Sequence, residues 1–295
     1  MNPKLKKMLP ILAIVVGALI LGAIVVGILN ALLANGTWSF GWSDYRYDDS
    51  NYRIGDGTIA APNVTEIEVD WIDGRIEILP CDDMFLSVTE FSANELTEDS
   101  RLRWRVSEDG KSLSIKYRKS SWYLGNSENK DKFLILRVPK KLFGQLTSLK
   151  VKTVAGDVTV KELEVPSISL ESTSAAINIK SCTCTDFSAK TVNGAITFDG
   201  SIAGKVVCKS VNVAMTLRSA VCPQSVTVDS VNADVLLSLP ATSSFSLNKD
   251  SIGGDFSTDF AVEQADGVYI CGDGSARFEI DTVTGDVKIE KREED

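Results

Sequence analysis

Thr153-Val-Ala-Gly-Asp-Val158, Ser172-Thr-Ser-Ala-Ala-Ile177, Thr191-Val-Asn-Gly-Ala-Ile196 and Ser210-Val-Asn-Val-Ala-Met215 begin 19 residues apart each time. Related strings begin at Ser230, Ser251 and Thr282, and Trp71-Ile-Asp-Gly-Arg-Ile76 is an early copy. Apolar pairs stand four and two residues before the hydroxyl: Leu149/Val151, Ile168/Leu170, Phe187/Ala189, Val206/Cys208, Val226/Val228 and Phe278/Ile280. Others stand five and seven after it: Val158/Val160, Ile177/Ile179, Ile196/Phe198, Met215/Leu217, Val235/Leu237 and Val287/Ile289. A spacing of two is the strand period, so each copy reads as two short strands with their apolar faces turned the same way. Gly156, Gly194, Gly254 and Gly285 stand between the strands, where a bend is needed.

Two such strands cannot bury their apolar face alone, whereas copies stacked ~4.8 Å apart share one continuous core. The pattern therefore predicts an all-β fold, a β-solenoid of single-stranded β-helix type with two short strands per repeat of about 19–21 residues. An antiparallel sandwich shares the alternation but needs no fixed period. The column Thr153, Ser172, Thr191, Ser210, Ser230, Ser251 and Thr282 then forms a structural ladder along the stack, suited to corner hydrogen bonds. Residues 82–147 interrupt the repeat and read as a β-rich insertion, with strands near 85–91, 102–107, 113–118 and 133–138 and a hairpin turn at Glu108-Asp-Gly-Lys111.

Ahead of the repeat, residues 9–33 carry no charge and one strongly polar side chain, Asn30. A helix of that length, rising ~1.5 Å per residue, crosses a ~30 Å hydrocarbon core. Lys4, Lys6 and Lys7 precede the segment and Asp44, Asp48 and Asp49 follow it, which predicts a cytoplasmic N-terminus of residues 1–8 and an extracytoplasmic remainder. A cleaved signal peptide would have a shorter apolar core and a small-residue cleavage site, which Leu32-Leu33-Ala34 fits poorly. Gly17, Gly22 and Gly27 each follow an alanine by four residues, a spacing that lets membrane helices pack closely and could support a homo-oligomer. Trp38, Phe40, Trp42, Tyr45, Tyr47 and Tyr52 lie in an aromatic juxtamembrane linker, residues 34–60. The solenoid is expected over 61–291, with 292–295 a solvated acidic tail.

Among the 295 residues, 31 Lys and Arg face 40 Asp and Glu, a net charge of −9 that repels phosphate backbones and argues against nucleic-acid binding. The sequence contains no histidine, which excludes Ser-His-Asp and Cys-His catalysis and leaves the hydroxyl column without an activating base. Cys81, Cys182, Cys184, Cys208, Cys222 and Cys271 read mainly as buried small thiols, and Cys182-x-Cys184 lacks a second ligand pair for zinc. Asp157, Asp234, Asp255 and Asp286 raise calcium binding, but the middle copies lack an acidic residue there, so no metal or cofactor is expected. Asp73 with Asp157, or Asp157 with Lys152 and Lys190, are the best clusters for polysaccharide chemistry, and abundant charge on a solvated face explains them without chemistry.

With Leu136-Arg-Val-Pro139, Leu146 to Val151 and the repeated hydroxyl-Val-x-Gly-Asp/Ala-Val/Ile of 153–158 and 191–196 in view, the chain resembles the bacterial putative-adhesin family. These are β-helical envelope domains of unknown function, relatives of the head-GIN and toast-rack domains. The resemblance implies a β-solenoid outside a bacterial membrane, in a group associated with cell-envelope stress modules and surface display. It carries over no catalytic residue. The expectation is a membrane-anchored binding or scaffold module, not an enzyme, whose partner is an envelope protein or glycan. The alternatives are a regulatory partner of an envelope-stress sensor and a polysaccharide-processing β-helix enzyme.

Overall fold

The computed structural model describes residues 45–121, 132–265 and 267–293. The membrane segment 9–33 with Gly17, Gly22 and Gly27 lies outside them, as do Trp38, Phe40 and Trp42. Among the described residues no helix is long and apolar enough to cross a membrane. Contacts divide the chain into two units, one comprising residues 1–47 and 121–125 and the other 48–120 and 126–295. In the smaller unit Tyr45 and Ser121 exchange backbone hydrogen bonds of 2.7 and 2.8 Å, and the Tyr45 and Tyr47 rings meet edge-on at 5.5 Å.

The larger unit is a stack of nine rungs, each contributing one strand to each of two parallel sheets. In stack order the first rung is Ser112–Lys116 with Phe133–Pro139, the second Glu66–Asp70 with Arg75–Cys81, and the third Ser148–Ala155 with Val158–Lys161. The fourth is Ser167–Ser174 with Ile177–Cys184, while Asp186–Ile202, Lys205–Ser219 and Ser225–Leu239 each run through the corner as the fifth, sixth and seventh. The eighth is Ala276–Thr284 with Val287–Lys291, and the ninth is Phe245–Ser251 with Phe256–Thr258.

Chain order and stack order part at both ends. The last copy in the chain is inserted between the seventh rung and the copy that precedes it in sequence, with Ser230 opposite Thr282 and Thr282 opposite Ser251. At the other end the Trp71 rung lies between residues 112–139 and the rung that starts at Ser148. Residues 82–147, read from the sequence as an insertion, thus supply a rung of the solenoid. Its copy is hard to see because Tyr117 stands in the hydroxyl column and residues 118–132 separate its two strands. Antiparallel strands close the stack: Arg103–Val106 and Leu86–Phe91 at one end, Val268–Cys271 at the other. Such caps protect backbone groups that a bare edge would offer to other chains.

The apolar pairs read from the repeat form the core. The twelve pairs from the third to the eighth rung are all at most 2% exposed. Phe245 stacks on Phe278 at 4.9 Å, which places the ninth rung on the eighth. The corner is where the backbones approach most closely. A Cβ on Gly156 would lie 1.8 Å from the Gly74 carbonyl oxygen, and its φ of +145° disfavours other residues.

Candidate binding surface

The hydroxyl column is real and mostly buried. Thr153, Ser172, Thr191, Ser210, Ser230 and Thr282 are 0–6% exposed, and Ser251 is half-buried. Ser210 donates to Ser230 at 2.8 Å, Thr191 to the Asn193 carbonyl at 3.0 Å and Thr282 to the Thr284 carbonyl at 2.7 Å. Lys249 donates to Ser251, while Thr153 Oγ1 and Ser172 Oγ have no partner among the described residues. Burial at a corner makes the column a packing element with no access for a substrate.

Two further ladders run along the outside. Asn232 donates to Asn212 at 2.8 Å and Asn212 to Asn193 at 3.0 Å, and the Thr284 hydroxyl continues the series onto Asn232. The residue just before each column position lies on the outer side of the strand, and all are at least partly exposed except Lys152, which is 4% exposed. In stack order that row reads Lys116, Asp70, Lys152, Glu171, Lys190, Lys209, Asp229, Asp281, Asp250. Ion pairs link Lys116 to Asp70 at 3.0 Å, Lys190 to Glu171 at 3.3 Å and Lys209 to Asp229 at 3.5 Å. Both ladders were legible as constant offsets from the column, but their continuation past Ser230 depends on the inserted rung.

The row ends in three aspartates because the inserted rung sets Asp281 between Asp229 and Asp250. Partial burial, then Asp250, Asp229 and Glu279, push the Asp281 carboxyl above its ordinary value. A raised carboxyl contributes stability at low pH that is lost as pH rises through its folded pKa. Asp281→Asn is therefore expected to stabilise the protein at pH 7, by roughly a few tenths of a kcal/mol after solvent screening, and to be neutral near pH 3. Urea unfolding at the two pH values checks this; an unchanged or lower midpoint at pH 7 contradicts it.

The corner carboxylates have structural work. Asp157 accepts the Ala176 N–H at 3.1 Å, Asp234 that of Asp286 at 3.1 Å, and Asp286 that of Asp255 at 2.8 Å. Each caps the neighbouring rung. Asp234, Asp286 and Asp255 do fall on successive rungs, contrary to the spacing in sequence, yet no group of three or more Asp, Glu or Cys among the described residues is placed to hold a metal ion. Asp73 and Asp157 share a depression of about 470 Å³ with Arg75 and Phe133, and Asp73 accepts the Gly74 N–H at 2.9 Å. Lys152 and Lys190 are not beside Asp157: they flank Glu171 on the outer row. Just after strand Val287–Lys291, Arg292 forms an ion pair with Asp199 at 3.3 Å and donates its N–H to the Leu239 carbonyl at 2.7 Å, Glu293 is exposed, and residues 294–295 of the expected solvated tail lie outside the described residues.

A buried ion pair ties the first rung to its cap. Lys132 Nζ donates to the Ser100 carbonyl at 2.7 Å and to the Tyr117 carbonyl at 2.5 Å, pairs with Glu90, and lies 4.0 Å from the Tyr117 ring centroid. Burial pushes Glu90 up and Lys132 down to about 8. With its side chain fully buried, Lys132 serves the cap and faces no ligand.

All six cysteines are free, and Cys182, Cys184, Cys208 and Cys271 are buried. Burial raises Cys182 to about 11 and Cys184 and Cys208 to about 12. At pH 8 a thiol of pKa about 12 is ionised to roughly one part in ten thousand. Iodoacetamide is expected to modify Cys81 and Cys222 in the folded protein and the others only after unfolding. Mass spectrometry checks this, and rapid native labelling of Cys208 would contradict it.

Residues 64–221 match the Toastrack DUF4097 family, and the chain belongs to that family. The match ends just before the last three rungs, one of the two places where chain and stack order part. No curated protein matches the chain. Two solved structures are similar. A "putative cell adhesion protein" of Clostridium sporogenes has 10% identity and a TM-score of 0.41, over 82% of this chain and 100% of that one. A "putative adhesin" of Bacteroides fragilis has 13% identity and a TM-score of 0.44, over 83% of this chain and 98% of that one.

Proposed function

We propose that the chain is a membrane-anchored, extracytoplasmic binding and scaffold module of a bacterial cell envelope. The observation that carries this is the outer charge row, nine ionisable side chains at one strand spacing of which all but the buried Lys152 are at least partly exposed, ending in Asp229, Asp281 and Asp250. A rigid, repeated surface recognises a partner by complementary charge and register without needing a catalytic group. The anchor is the apolar segment 9–33, with the N-terminus cytoplasmic. The partner is an envelope protein or glycan.

The test is photo-crosslinking in intact cells from Asn248 and Thr227, both on the outer face of the first sheet. Capture of one envelope protein or wall glycan, lost when Asp229, Asp281 and Asp250 are changed to asparagine, is the expected result. Capture of a sensor protein that instead depends on Gly17, Gly22 and Gly27 favours the regulatory alternative. No capture above background from either position contradicts the binding role.

A further inference from the structure

The second sheet changes character along its outer face. From the third to the sixth rung its central outward positions are Thr159, Asn178, Thr197 and Thr216. In the first rung the run Phe133-Leu-Ile-Leu136 is apolar at every position. Leu134 and Leu136 face the core at 0% exposure, so strand alternation puts Phe133 and Ile135 outside. Leu79 in the second rung, Phe91 on the flanking antiparallel strand and Phe85 just before that strand add to the same face. Phe91 lies opposite Phe133 with ring centroids 5.8 Å apart. Met84, Phe85 and Phe91 are 66%, 46% and 50% exposed, three of the six most exposed large apolar side chains among the described residues.

Cations frame this patch. The Arg75 guanidinium lies 5.3 Å from the Phe133 ring centroid and the Lys141 ammonium 5.7 Å from that of Phe85. Arg137 is in register with Leu79 and Ser87. In a chain of net charge −9, Arg75, Arg137, Lys140 and Lys141 gather here against Glu77, Asp82 and Asp83, and Asp82 is paired with Lys140. Apolar bodies framed by long cationic side chains fit the boundary between acyl chains and phosphate headgroups. A second copy in a two-fold contact would set the same cations against themselves.

The chain enters the stack at this end, where Arg53–Ile54 first pairs with Arg103–Val106. Strand Gly57–Ile59 pairs with Leu86–Phe91, with Gly57 opposite Val88. The segment between residues 33 and 53 reaches at most roughly 70 Å when extended. The patch is therefore within the tether's length of the membrane that residues 9–33 are read as crossing.

We propose that the outer face of strands 75–81, 86–91 and 133–139 rests on the lipid headgroup layer of that membrane, with Met84, Phe85 and Phe91 inserted and Arg75, Arg137 and Lys141 at the phosphates. This rests on the membrane-anchored reading above. Resting there orients the stack and leaves its far end, with Asp229, Asp281 and Asp250, turned to partners.

The test is hydroxyl-radical footprinting of the full chain, one molecule per phosphatidylcholine/phosphatidylglycerol nanodisc, against the same chain in small detergent micelles. Ile252 and Val221, exposed at 71% and 40% near the far end of the stack, are internal references. Oxidation of Met84, Phe85 and Phe91 relative to Ile252 is expected to fall about fivefold or more in nanodiscs, as burial in the interface requires. Phe85→Ser with Phe91→Ser should remove the protection of Met84 while leaving the unfolding midpoint near wild type. Equal oxidation in both settings overturns the proposal, as does protection in micelles that disappears on dilution, which would mark a second copy. Carbonate extraction separates the premises: release of the chain from membranes rejects the anchor and the proposal together, and retention with unprotected Met84 rejects the headgroup contact alone.

Discussion

A chain ending at residue 275 is expected to lose its cooperative unfolding transition, although it retains eight of the nine rungs. The deleted segment supplies the eighth rung, which lies inside the stack between the seventh and ninth. Its Phe278, Ile280, Val287 and Ile289 are each 0% exposed. At about 1.5–3 kcal/mol per buried side chain, their loss removes about 6–12 kcal/mol, comparable to the net stability of a whole domain. The deletion also uncovers the apolar face of the ninth rung, where Phe245 loses the ring of Phe278. Circular dichroism during heating and size-exclusion chromatography read the outcome. A sharp transition near that of the full chain would mean that the ninth rung can pair directly with the seventh, and the inserted order would not be needed for stability.

Gly156→Ala is expected to destabilise the fold by about 2–5 kcal/mol, combining overpacking with a strained backbone. The added Cβ would sit 1.8 Å from the carbonyl oxygen of Gly74, backbone that cannot swing away, at a φ of +145°. Gly110→Ala is the matched control. It also has a positive φ, +72°, but nothing lies within 4 Å of its Cβ. Its cost should be about 1 kcal/mol, the conformational term alone. Urea midpoints for the two variants check the difference. Equal costs would mean that the corner can relax and that close stacking there is not what selects glycine.

The two variants bear on different levels of the sequence's legibility. What each residue does within its own rung follows from alternation and turn chemistry, so the core pairs, the hydroxyl column and the corner glycines could all be read locally. Which rung lies beside which is a property of pairs of rungs. The copies at Ser230 and Thr282 share the full apolar skeleton, whereas the Ser251 copy has Lys249 and Thr258 at two of its four core positions, a local sign that it ends the stack. The contacts that distinguish the order are side-chain matches between copies, such as Phe278 on Phe245 and Thr284 on Asn232. The first rung was hidden for a related reason, since Tyr117 replaces the hydroxyl and packs edge-on against Trp71 at 4.8 Å. The apolar outer patch had a signal, the unbroken run Phe133 to Leu136, but its meaning depends on knowing that Leu134 and Leu136 already fill the core. Asp157 shows the opposite case: its carboxylate looked like chemistry in sequence and turns out to cap the Ala176 N–H.

The inserted order of the last rungs also sets the charge row, its acidic end and the ladder that Thr284 completes, so it is the claim to test most directly. Disulfide trapping does so in a background with Cys81 and Cys222 changed to serine. Adjacent strands bring outward Cα atoms to about 4.8 Å, within disulfide reach, whereas two rungs of separation give about 9.6 Å. Asp229→Cys with Asp281→Cys, and Asp281→Cys with Asp250→Cys, are predicted to crosslink under mild oxidation, as their register requires. Asp229→Cys with Asp250→Cys is predicted to stay reduced. Ready crosslinking of that third pair, with the first remaining open, would mean that the rungs stack in chain order and would contradict the account.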